Sequence, residues 1–370
     1  MKFARISKAV KIGGFDHVEA VFLGGGFPVL IQTMWKDRLS SADLTGEAAK
    51  GIIGRIESLK KMGCGLVRFA VPDIAAAEVL GNLASLVSMP LAADIHFDYK
   101  IALRCLDFPI AKIRINPGNI GSRDKVEAVL SKAAALSRPI RIGLNAGSLP
   151  QDLRRRVEQG TLERAEALVL AAEREMALFD EAGFSNFLVS MKASSVADTI
   201  KANRILAQRT QVPLHVGVTE AGPLIAGVVR NTAALTVLLG EGIGDTLRVS
   251  LSDTMENEVI AGREILLAAA NIAGKESGGV NVVSCPRCGR SAFDTHDFTG
   301  RWQARLYALD KNITVAIMGC AVNGPGEARH ADLGITGAGN KVLIFHKGKV
   351  VRTLDVDEAD AAFGEELNSI

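Results

Sequence analysis

Three cysteines in the last quarter of the chain have the spacing of metal ligands. Cys285 and Cys288 form a C-x-x-C pair in "SCPRCGRSAF", and Cys320 stands near a Gly-Pro-Gly turn in "MGCAVNGPGEARH". Thiolates are the usual ligands of iron–sulfur clusters, and a cluster that only transfers electrons generally has four of them. Three thiolates therefore favour a [4Fe–4S] cluster whose fourth iron is open to a weaker ligand or a substrate. Glu327, in the same segment, is an oxygen donor for that position, although it also fits an exposed loop carboxylate.

Two other interpretations of the cysteines remain open at the level of sequence. Zinc is often bound by a C-x-x-C pair, and His296 or His330 has the residue type needed to complete the site. A thioredoxin-like redox pair requires a C-x-x-C that opens a helix in a thioredoxin-type unit. The segment "SCPRCGRSAF" follows a Gly-rich stretch and lacks that context. The content of iron, sulfide and zinc separates these alternatives.

The composition of the chain argues against several classes of protein. Of the 370 residues, 43 are basic and 41 are acidic, which is not the balance of a nucleic-acid coat. No apolar run approaches the roughly 20 residues of a membrane span, and the N-terminus lacks the apolar core of a signal peptide. Five cysteines are an odd number and a low density for a disulfide framework. The sequence predicts a cytoplasmic protein with reduced thiols, and no nucleic acid or membrane as a partner.

The segment before the cysteines alternates short apolar runs with longer stretches rich in Ala, Leu, Glu and Lys. The longer stretches carry apolar residues at helical spacing, and some end in a glycine suited to a helix C-cap. Such alternation predicts parallel strands that are joined by crossover helices. We predict eight strands at 28–34, 65–71, 90–96, 111–116, 139–145, 186–191, 212–218 and 246–251.

Eight strand–helix units predict a (β/α)8 TIM barrel, for which about 250 residues is the usual length. The rival is an open doubly wound sheet, but no Gly-rich dinucleotide motif follows the first strand. The segment 274–280 has the composition of a linker, and strands followed by a closing helix are predicted after it. We therefore predict a TIM-barrel substrate-binding domain at 1–273 and a smaller α+β iron–sulfur domain at 281–370.

Polar residues stand where the predicted barrel strands end, which is where barrel enzymes form their active sites. Five of them are cations among apolar neighbours, where an unpaired charge is unfavourable. Singly, each fits a structural ion pair with Asp94 or Glu220. Together they outnumber these carboxylates and suit a ligand with several negative charges, such as a diphosphate. The predicted ligand-binding residues are Arg68, Arg114, Asn116, Arg141, Asn145, Lys192, Arg248 and Ser250.

Three further residues at this edge have side chains that exchange protons. A carboxylate among phosphate-binding cations can donate or accept a proton if its pKa suits, and it can equally orient an arginine. Glu220 in "GVTEAG" is the candidate proton donor, and Asp94 and His96 of "ADIHF" come next. As a lone residue, His96 also fits a packed, hydrogen-bonded histidine. Cys64 and Cys105 are predicted to be buried small residues in helical or helix-terminal stretches.

Several segments together resemble one enzyme family. "SCPRCGR", "GCAVNGPGEARHADLGI", "ADIHF", "RINPGNIG", "RIGLNAGSL", "SMKAS" and "GVTEAG" are similar to the 4-hydroxy-3-methylbut-2-enyl diphosphate synthases, in their compact bacterial form. The resemblance implies a head-to-tail homodimer in which the cluster of one subunit caps the barrel mouth of the other. It also implies a [4Fe–4S] cluster held by Cys285, Cys288, Cys320 and Glu327.

The resemblance further implies a reaction, which is the reductive ring opening and dehydration of 2-C-methyl-D-erythritol 2,4-cyclodiphosphate. Two electrons would come from reduced flavodoxin or ferredoxin, and the linker at 274–280 would act as a hinge. One departure from the family is "TMWKDRLSSAD" after the first strand, where a threonine-rich stretch is expected, so the role of this loop stays open. One rival function is a phosphate-ligand barrel synthase with a structural zinc tail. The other is a redox sensor, and the ring of cations argues against this second rival.

Overall fold

The chain divides into two units, at 1–275 and 276–370. The computed structural model describes residues 5–274, 278–322, 324, 326 and 328–370. The predicted hinge at 274–280 includes 275–277, and these three residues lie outside the described ranges.

The first unit begins with an antiparallel hairpin that the sequence analysis did not predict. Its strands are β1 (Val10–Ile12) and β2 (Val21–Leu23). Buried side chains of this hairpin form one apolar cluster with Leu66, Ala92 and Leu188 of the barrel strands. The hairpin thus contributes apolar contacts to the part of the barrel interior that lies away from the polar strand ends.

Eight parallel strands follow, as predicted. They are β3 (Leu30–Met34), β4 (Cys64–Ala70), β5 (Leu91–Asp94), β6 (Lys112–Ile115), β7 (Ile140–Asn145), β8 (Phe187–Lys192), β9 (His215–Val216) and β10 (Thr246–Leu247). Their order in the sheet is β8-β7-β6-β5-β4-β3-β10-β9. A parallel bridge between Val189 and Leu214 brings the two ends of this sheet together. The prediction of a TIM barrel is confirmed.

Each barrel strand leads into at least one helix. The helices are α1 (Gly46–Lys61), α2 (Ile74–Ala84), α3 (Tyr99–Cys105), α4 (Pro117–Ile120), α5 (Arg123–Ala135), α6 (Gln151–Glu158), α7 (Arg164–Glu181), α8 (Val196–Arg209), α9 (Leu224–Gly240) and α10 (Met255–Ile272). Side-chain oxygens of Asp73, Ser195 and Thr254 cap α2, α8 and α10, as short polar residues do at helix starts. Within the described ranges no helix is long and apolar enough to cross a membrane.

The second unit is a mixed sheet with two helices. The elements are β11 (Asn281–Ser284), α11 (Thr295–Tyr307), β12 (Thr314–Met318), β13 (Leu333–Ala338), β14 (Lys341–His346), β15 (Lys349–Asp355) and α12 (Ala359–Ser369). The strands β11, β12 and β13 are parallel, whereas β14 and β15 are antiparallel additions. Phe298 and Trp302 of α11 pack on Phe363 of α12 in the core of this unit.

Candidate active site at the barrel mouth and the cysteine loops

A polar cavity of about 210 Å³ lies at the carboxyl ends of the barrel strands. Eight of the residues that the sequence predicted for this edge line it together. They are Arg68, Asp94, His96, Arg114, Arg141, Asn145, Lys192 and Arg248. Met34, Val218 and Thr219 complete the wall.

Asp94, the last residue of β5, joins two of the cations. Its Oδ1 lies 2.9 Å from Nη1 of Arg114, and its Oδ2 lies 3.3 Å from Nε of Arg68. Burial by itself would raise the pKa of Asp94, but the guanidinium groups of Arg68 and Arg114 outweigh it and hold the pKa at about 2. Asp94 is therefore ionised near neutrality and fixes two guanidinium groups in the cavity wall.

Gly143 in β7 makes room for Arg114. A Cβ at this position would lie 1.9 Å from Nε of Arg114, which is far inside van der Waals contact. The Nη2 group of Arg114 also donates to the carbonyl oxygen of Gly143 at 3.0 Å. A larger residue in "RIGLN" would therefore displace the guanidinium from Asp94.

Arg141 and Lys192 bring positive charge that is not balanced by an ion pair in the described part of the chain. Arg141 is 1% exposed, and its Nη1 donates to Ser190 Oγ at 2.6 Å. Its Nε and Nη2 atoms are buried and have no hydrogen-bond partner among the described residues. Burial, reinforced by the neighbouring cations, lowers the pKa of Arg141 and of Lys192 well below the usual values. An anion in the cavity would relieve both the missing hydrogen bonds and the repulsion.

Glu258 in the first turn of α10 is a functional candidate that the sequence analysis missed. Its Oε1 lies 2.7 Å from Nη2 of Arg248 and 2.6 Å from Nζ of Lys36, so it forms an ion pair with each. Thr33 Oγ1 donates to its Oε2 at 2.7 Å, and the side chain of Glu258 is fully buried. The sequence analysis expected Arg248 to pair with Asp94 or Glu220, but its carboxylate partner in the structure is Glu258. A glutamate at a helix start looks ordinary in sequence, so only the tertiary structure identifies this anchor.

Two predicted residues contact these arginines. Nε2 of His96 lies 3.0 Å from Nη1 of Arg114. Burial lowers the pKa of His96, although Asp94 opposes that effect. Ser250 Oγ accepts a hydrogen bond from Nη1 of Arg248 at 3.0 Å. His96 and Ser250 thus belong to the hydrogen-bond network of the barrel mouth.

Glu220 and Asn116 do not line the cavity. Glu220 is exposed and has a left-handed backbone with φ of 52°, in the loop between β9 and α9. Its neighbour Thr219 does line the cavity. Asn116 is buried directly after β6, where it precedes α4. Their roles in proton transfer and in substrate binding stay predictions.

A larger groove, of about 860 Å³, lies in the same unit but offers less chemistry. Arg5 and Arg204 are among its lining residues. These arginines already pair with Asp245 and Glu241, respectively. The barrel mouth, where Arg141 and Lys192 have no ion pair among the described residues, is therefore the better candidate site.

The three cysteines lie in two loops at one end of the second sheet. Cys285 directly follows β11, and Cys320 follows its parallel neighbour β12. The N–H of Cys285 donates to the carbonyl oxygen of Ile317 at 2.9 Å. The N–H of Ala292 donates to the carbonyl oxygen of Gly319 at 2.8 Å. Backbone hydrogen bonds thus tie the C-x-x-C loop to the Cys320 loop. Cys285 is half-buried, Cys288 is exposed and Cys320 is buried.

The donors in these loops fit an iron–sulfur cluster by their chemistry. Three thiols on two adjacent loops match the thiolate ligands that such clusters take. Glu327, the predicted fourth ligand, lies outside the described residues. Within the described ranges, no three His, Cys, Asp or Glu side chains are close enough together to hold one metal ion. His296 is exposed in α11 and His330 is exposed after the Cys320 loop.

The remaining cysteines belong to the barrel core. Cys64 is the first residue of β4, whereas a helix-terminal position was expected, and Cys105 is the last residue of α3. Burial raises the pKa of each thiol to about 12, so both stay protonated. Neither has the thiolate character of a ligand.

Two family models match the chain. The GcpE TIM-barrel domain matches residues 15–263, and the GcpE protein C-terminal domain matches residues 281–369. The chain belongs to the GcpE family. The resemblance that the sequence motifs indicated is thereby confirmed, and it extends over both units of this GcpE protein.

Curated relatives of this GcpE chain match nearly its whole length. A Treponema pallidum protein is 52% identical over 98% of this chain and 92% of its own. A Treponema denticola protein is 48% identical over 100% of both chains. A Geobacter sulfurreducens protein is 44% identical over 94% of this chain and 95% of its own. All three are named 4-hydroxy-3-methylbut-2-en-1-yl diphosphate synthase (flavodoxin).

Proposed function

We propose that this protein converts 2-C-methyl-D-erythritol 2,4-cyclodiphosphate into 4-hydroxy-3-methylbut-2-enyl diphosphate. The reaction opens the ring with two electrons and releases water. The observation that carries the proposal is the buried Arg141. Its Nε and Nη2 find no partner in the described part of the chain, and four further cations line the same cavity. The names of relatives that match the whole chain support the same reaction.

The cations of the barrel mouth would bind the diphosphate and stabilise the charge that develops as the ring C–O bond breaks. Arg141 and Lys192 would donate to phosphate oxygens, because they have no carboxylate to satisfy them within the described residues. Arg68 and Arg114 are held in place by Asp94, and Arg248 is held by Glu258. Donors that are fixed before the reaction need little reorganisation in the transition state.

Loss of water requires a proton donor near the substrate. With a pKa of about 2, Asp94 is ionised and serves as an anchor for Arg68 and Arg114. Burial favours the neutral form of His96, whose ring nitrogen lies beside Arg114. Glu220 therefore remains our proposed donor, and its loop would have to bring the carboxylate toward the cavity.

We assign the delivery of electrons to a [4Fe–4S] cluster. Cys285, Cys288 and Cys320 would hold it, with Glu327 as the fourth ligand. When bound, such a cluster supplies single electrons and a Lewis-acidic iron. The chain itself contributes the backbone hydrogen bonds that keep the two cysteine loops side by side. Reduced flavodoxin is the proposed donor, since the relatives carry that word in their names, and ferredoxin is the alternative.

A homodimer is also part of the proposal. The outer face of α9 carries an apolar stripe in which Ile225 is 80%, Val229 61% and Val237 36% exposed. Arg230, the one charged residue in this helix, donates to the carbonyl oxygen of Ala221. Exposed apolar stripes mark protein contacts, and we assign this one to a second copy of the chain. Ile225→Lys should yield monomers in light scattering, and an unchanged dimer would remove this face from the interface.

The cluster and the reaction are tested together. Iron, acid-labile sulfide and zinc are measured per chain on protein purified without oxygen, and turnover of the cyclodiphosphate is measured with reduced flavodoxin. About four irons and four sulfides are expected, since that is the composition of the proposed cluster. Zinc without sulfide would contradict the reductive mechanism. It would favour the rival function, a phosphate-ligand barrel synthase with a structural zinc tail.

A further inference from the structure

Lys112 is a buried amine that lies one layer below the cavity of the barrel mouth. It stands on β6 two residues before Arg114, and side chains two residues apart on a strand point to the same side of the sheet. Lys112 is 0% exposed and is not among the residues that line the cavity. Neither the proposed binding of the diphosphate nor the proposed chemistry uses this amine.

The side chain of Lys112 crosses the interior of the barrel. Its Nζ donates to Oε1 of Gln32 on β3 at 3.2 Å, although β4 and β5 lie between β6 and β3 in the sheet. The residues of this interior layer, each two positions before a residue that lines the cavity, are Gln32, Leu66, Ala92, Lys112, Ser190 and Thr246. Barrel interiors are usually filled by branched apolar side chains. A lysine in this layer is therefore a departure that packing alone does not explain.

No carboxylate balances this amine in the described part of the chain. The neighbour of Lys112 on β5 is Ala92, and the carboxylate of Asp94 is already held by two arginines. Gln32 offers only a neutral amide oxygen. A buried charge without a counter-ion is unfavourable, and an amine in this situation loses its proton. In agreement, burial lowers the pKa of Lys112 well below its usual value, and neighbouring guanidinium groups add to this effect.

The charges around Lys112 are mostly positive. The charged and titratable groups at the mouth and in the interior of the barrel are Arg68, Asp94, His96, Arg114, Arg141, Lys192, His215, Arg248 and Glu258. Burial lowers the pKa of both histidines and so favours their neutral forms. The cations therefore outnumber the carboxylates. A bound diphosphate would reverse this balance and favour the ammonium form of Lys112.

We propose that Lys112 is uncharged in the free protein and takes up a proton from the solvent when the diphosphate binds in the barrel mouth above it. The inference rests on the proposed function, because the diphosphate is the proposed ligand. Lys112 does not touch the ligand, and it adds its charge only while the anion is present. Since the ligand and the proton then favour each other's binding, the affinity for the diphosphate should rise as pH falls.

The first test counts the protons that accompany binding. Titration calorimetry of the cyclodiphosphate is run on cluster-loaded, full-length protein without reductant, at neutral pH in buffers of different ionisation enthalpy. Both phosphates lie in the ring, so the ligand lacks the proton that a phosphate monoester loses at about pH 6.

The parent protein should take up about one proton more per site than Lys112→Met, and its affinity should fall about tenfold more per pH unit. Lys50→Met, an exposed change in α1, is the matched control and should behave like the parent. Equal proton uptake in the parent and in Lys112→Met would overturn the inference.

The second test needs no ligand. Urea unfolding of the parent and of Lys112→Met is compared from about pH 7 to about pH 9, below the usual pKa of an unfolded lysine. The pKa of Lys112 is lowered in the folded protein, so the unfolded chain binds the additional proton. The stability of the parent should therefore rise with pH relative to the variant, with the ratio of their folding equilibrium constants changing about tenfold per pH unit. A constant ratio would show that Lys112 is charged in the folded protein, and the inference would be wrong.

The two tests separate this inference from the proposed function. No heat of binding with the parent would contradict the proposed ligand, whereas the unfolding data would still decide the charge of Lys112. Binding with equal proton uptake in both proteins would support the ligand and refute the role of Lys112. Thermal melting checks that Lys112→Met folds. If it does not, Lys112→Gln takes its place, because it keeps a donor for Oε1 of Gln32.

Discussion

At the barrel mouth the charged side chains are largely buried, and many already have partners. The three clustered cysteines of the second unit lie in loops instead, and one of them, Cys288, is exposed. Arg114 is fixed by Asp94 and by the carbonyl oxygen of Gly143, and both contacts come from neighbouring strands. Backbone hydrogen bonds join the loop of Cys288 to neighbouring segments at Cys285 and Ala292, and the carbonyl oxygen of Cys288 accepts from the N–H of Ser291. The residue itself is exposed. The difference teaches that the polypeptide holds the cations of the barrel mouth in place by itself, while the cysteine loops would depend on the proposed cluster for their completion. Changes at the two sites should therefore have different signatures.

The largest effect is expected when a proposed cluster ligand is removed. Cys288→Ser should lose iron and sulfide and reduce turnover to background, because an alcohol is a poor replacement for a thiolate ligand. Its folding should change little, since Cys288 is exposed. Metal content, activity and thermal melting measure the three properties.

Cys105→Ala is the control for this change. Cys105 is buried in α3 with its pKa raised to about 12, so its replacement should leave the iron content unchanged. A fully loaded and active Cys288→Ser protein would remove this residue from the ligand set.

The next largest effect should arise at the anchor of Arg248. Glu258→Ala leaves Arg248 and Lys36 without their buried carboxylate, and such a loss costs about 3–5 kcal/mol of unfolding free energy. Urea unfolding measures it. Glu256→Ala in the same helix breaks the partly exposed pair with Arg55 and should cost about 1 kcal/mol or less. Equal losses in the two variants would contradict a special role for Glu258.

A smaller effect is expected at Arg141, where a substitution should weaken substrate binding but increase stability. Arg141→Met should weaken binding of the cyclodiphosphate by about 2–3 kcal/mol, the range for a hydrogen bond to a charged group. It should also raise the free energy of unfolding, because a buried cation without a carboxylate partner is removed. Isothermal titration calorimetry and urea unfolding provide the two values.

Arg114→Met is the comparison for Arg141. Here the unfolding free energy should fall, since Asp94 loses the cation at 2.9 Å. A loss of stability at both positions would show that Arg141 is a structural residue rather than a binding residue.

Local patterns in the sequence predicted much of this architecture. The alternation of β-branched runs and amphipathic segments depends on neighbouring residues, and all eight barrel strands were found at the expected places. The cations were predicted because a charge inside an apolar strand is visible without knowledge of its partner. The hairpin β1–β2 was missed, since each strand has three residues and gives no clear period.

Partners that come from distant segments could not be predicted in the same way. Glu258 reaches Arg248 from a helix start, and Lys36 reaches Glu258 from the segment after β3. Neither contact leaves a local signal apart from an ordinary glutamate in a helix. Glu220 looked like a cavity residue because it follows a barrel strand, yet its loop leaves it exposed. Contacts of this kind depend on tertiary packing and not on sequence spacing.

The smallest effect concerns Glu175 in α7, a carboxylate that is 8% exposed, lies outside the barrel-mouth cavity and should make stability depend on pH. Its pKa is raised from 4.5 to about 7 in the folded protein, so the folded state keeps a proton between these values that the unfolded state has lost. The contribution of Glu175 to stability is therefore most favourable below pH 4.5 and declines as pH rises toward 7. Glu175→Gln removes this decline and should gain about 1.4 kcal/mol on the parent protein for each pH unit within this window. Urea unfolding at several pH values measures the gain, with Glu173→Gln as control. A constant difference across the window would mean that the pKa of Glu175 is the same in the folded and the unfolded protein, and the predicted pH dependence would be wrong.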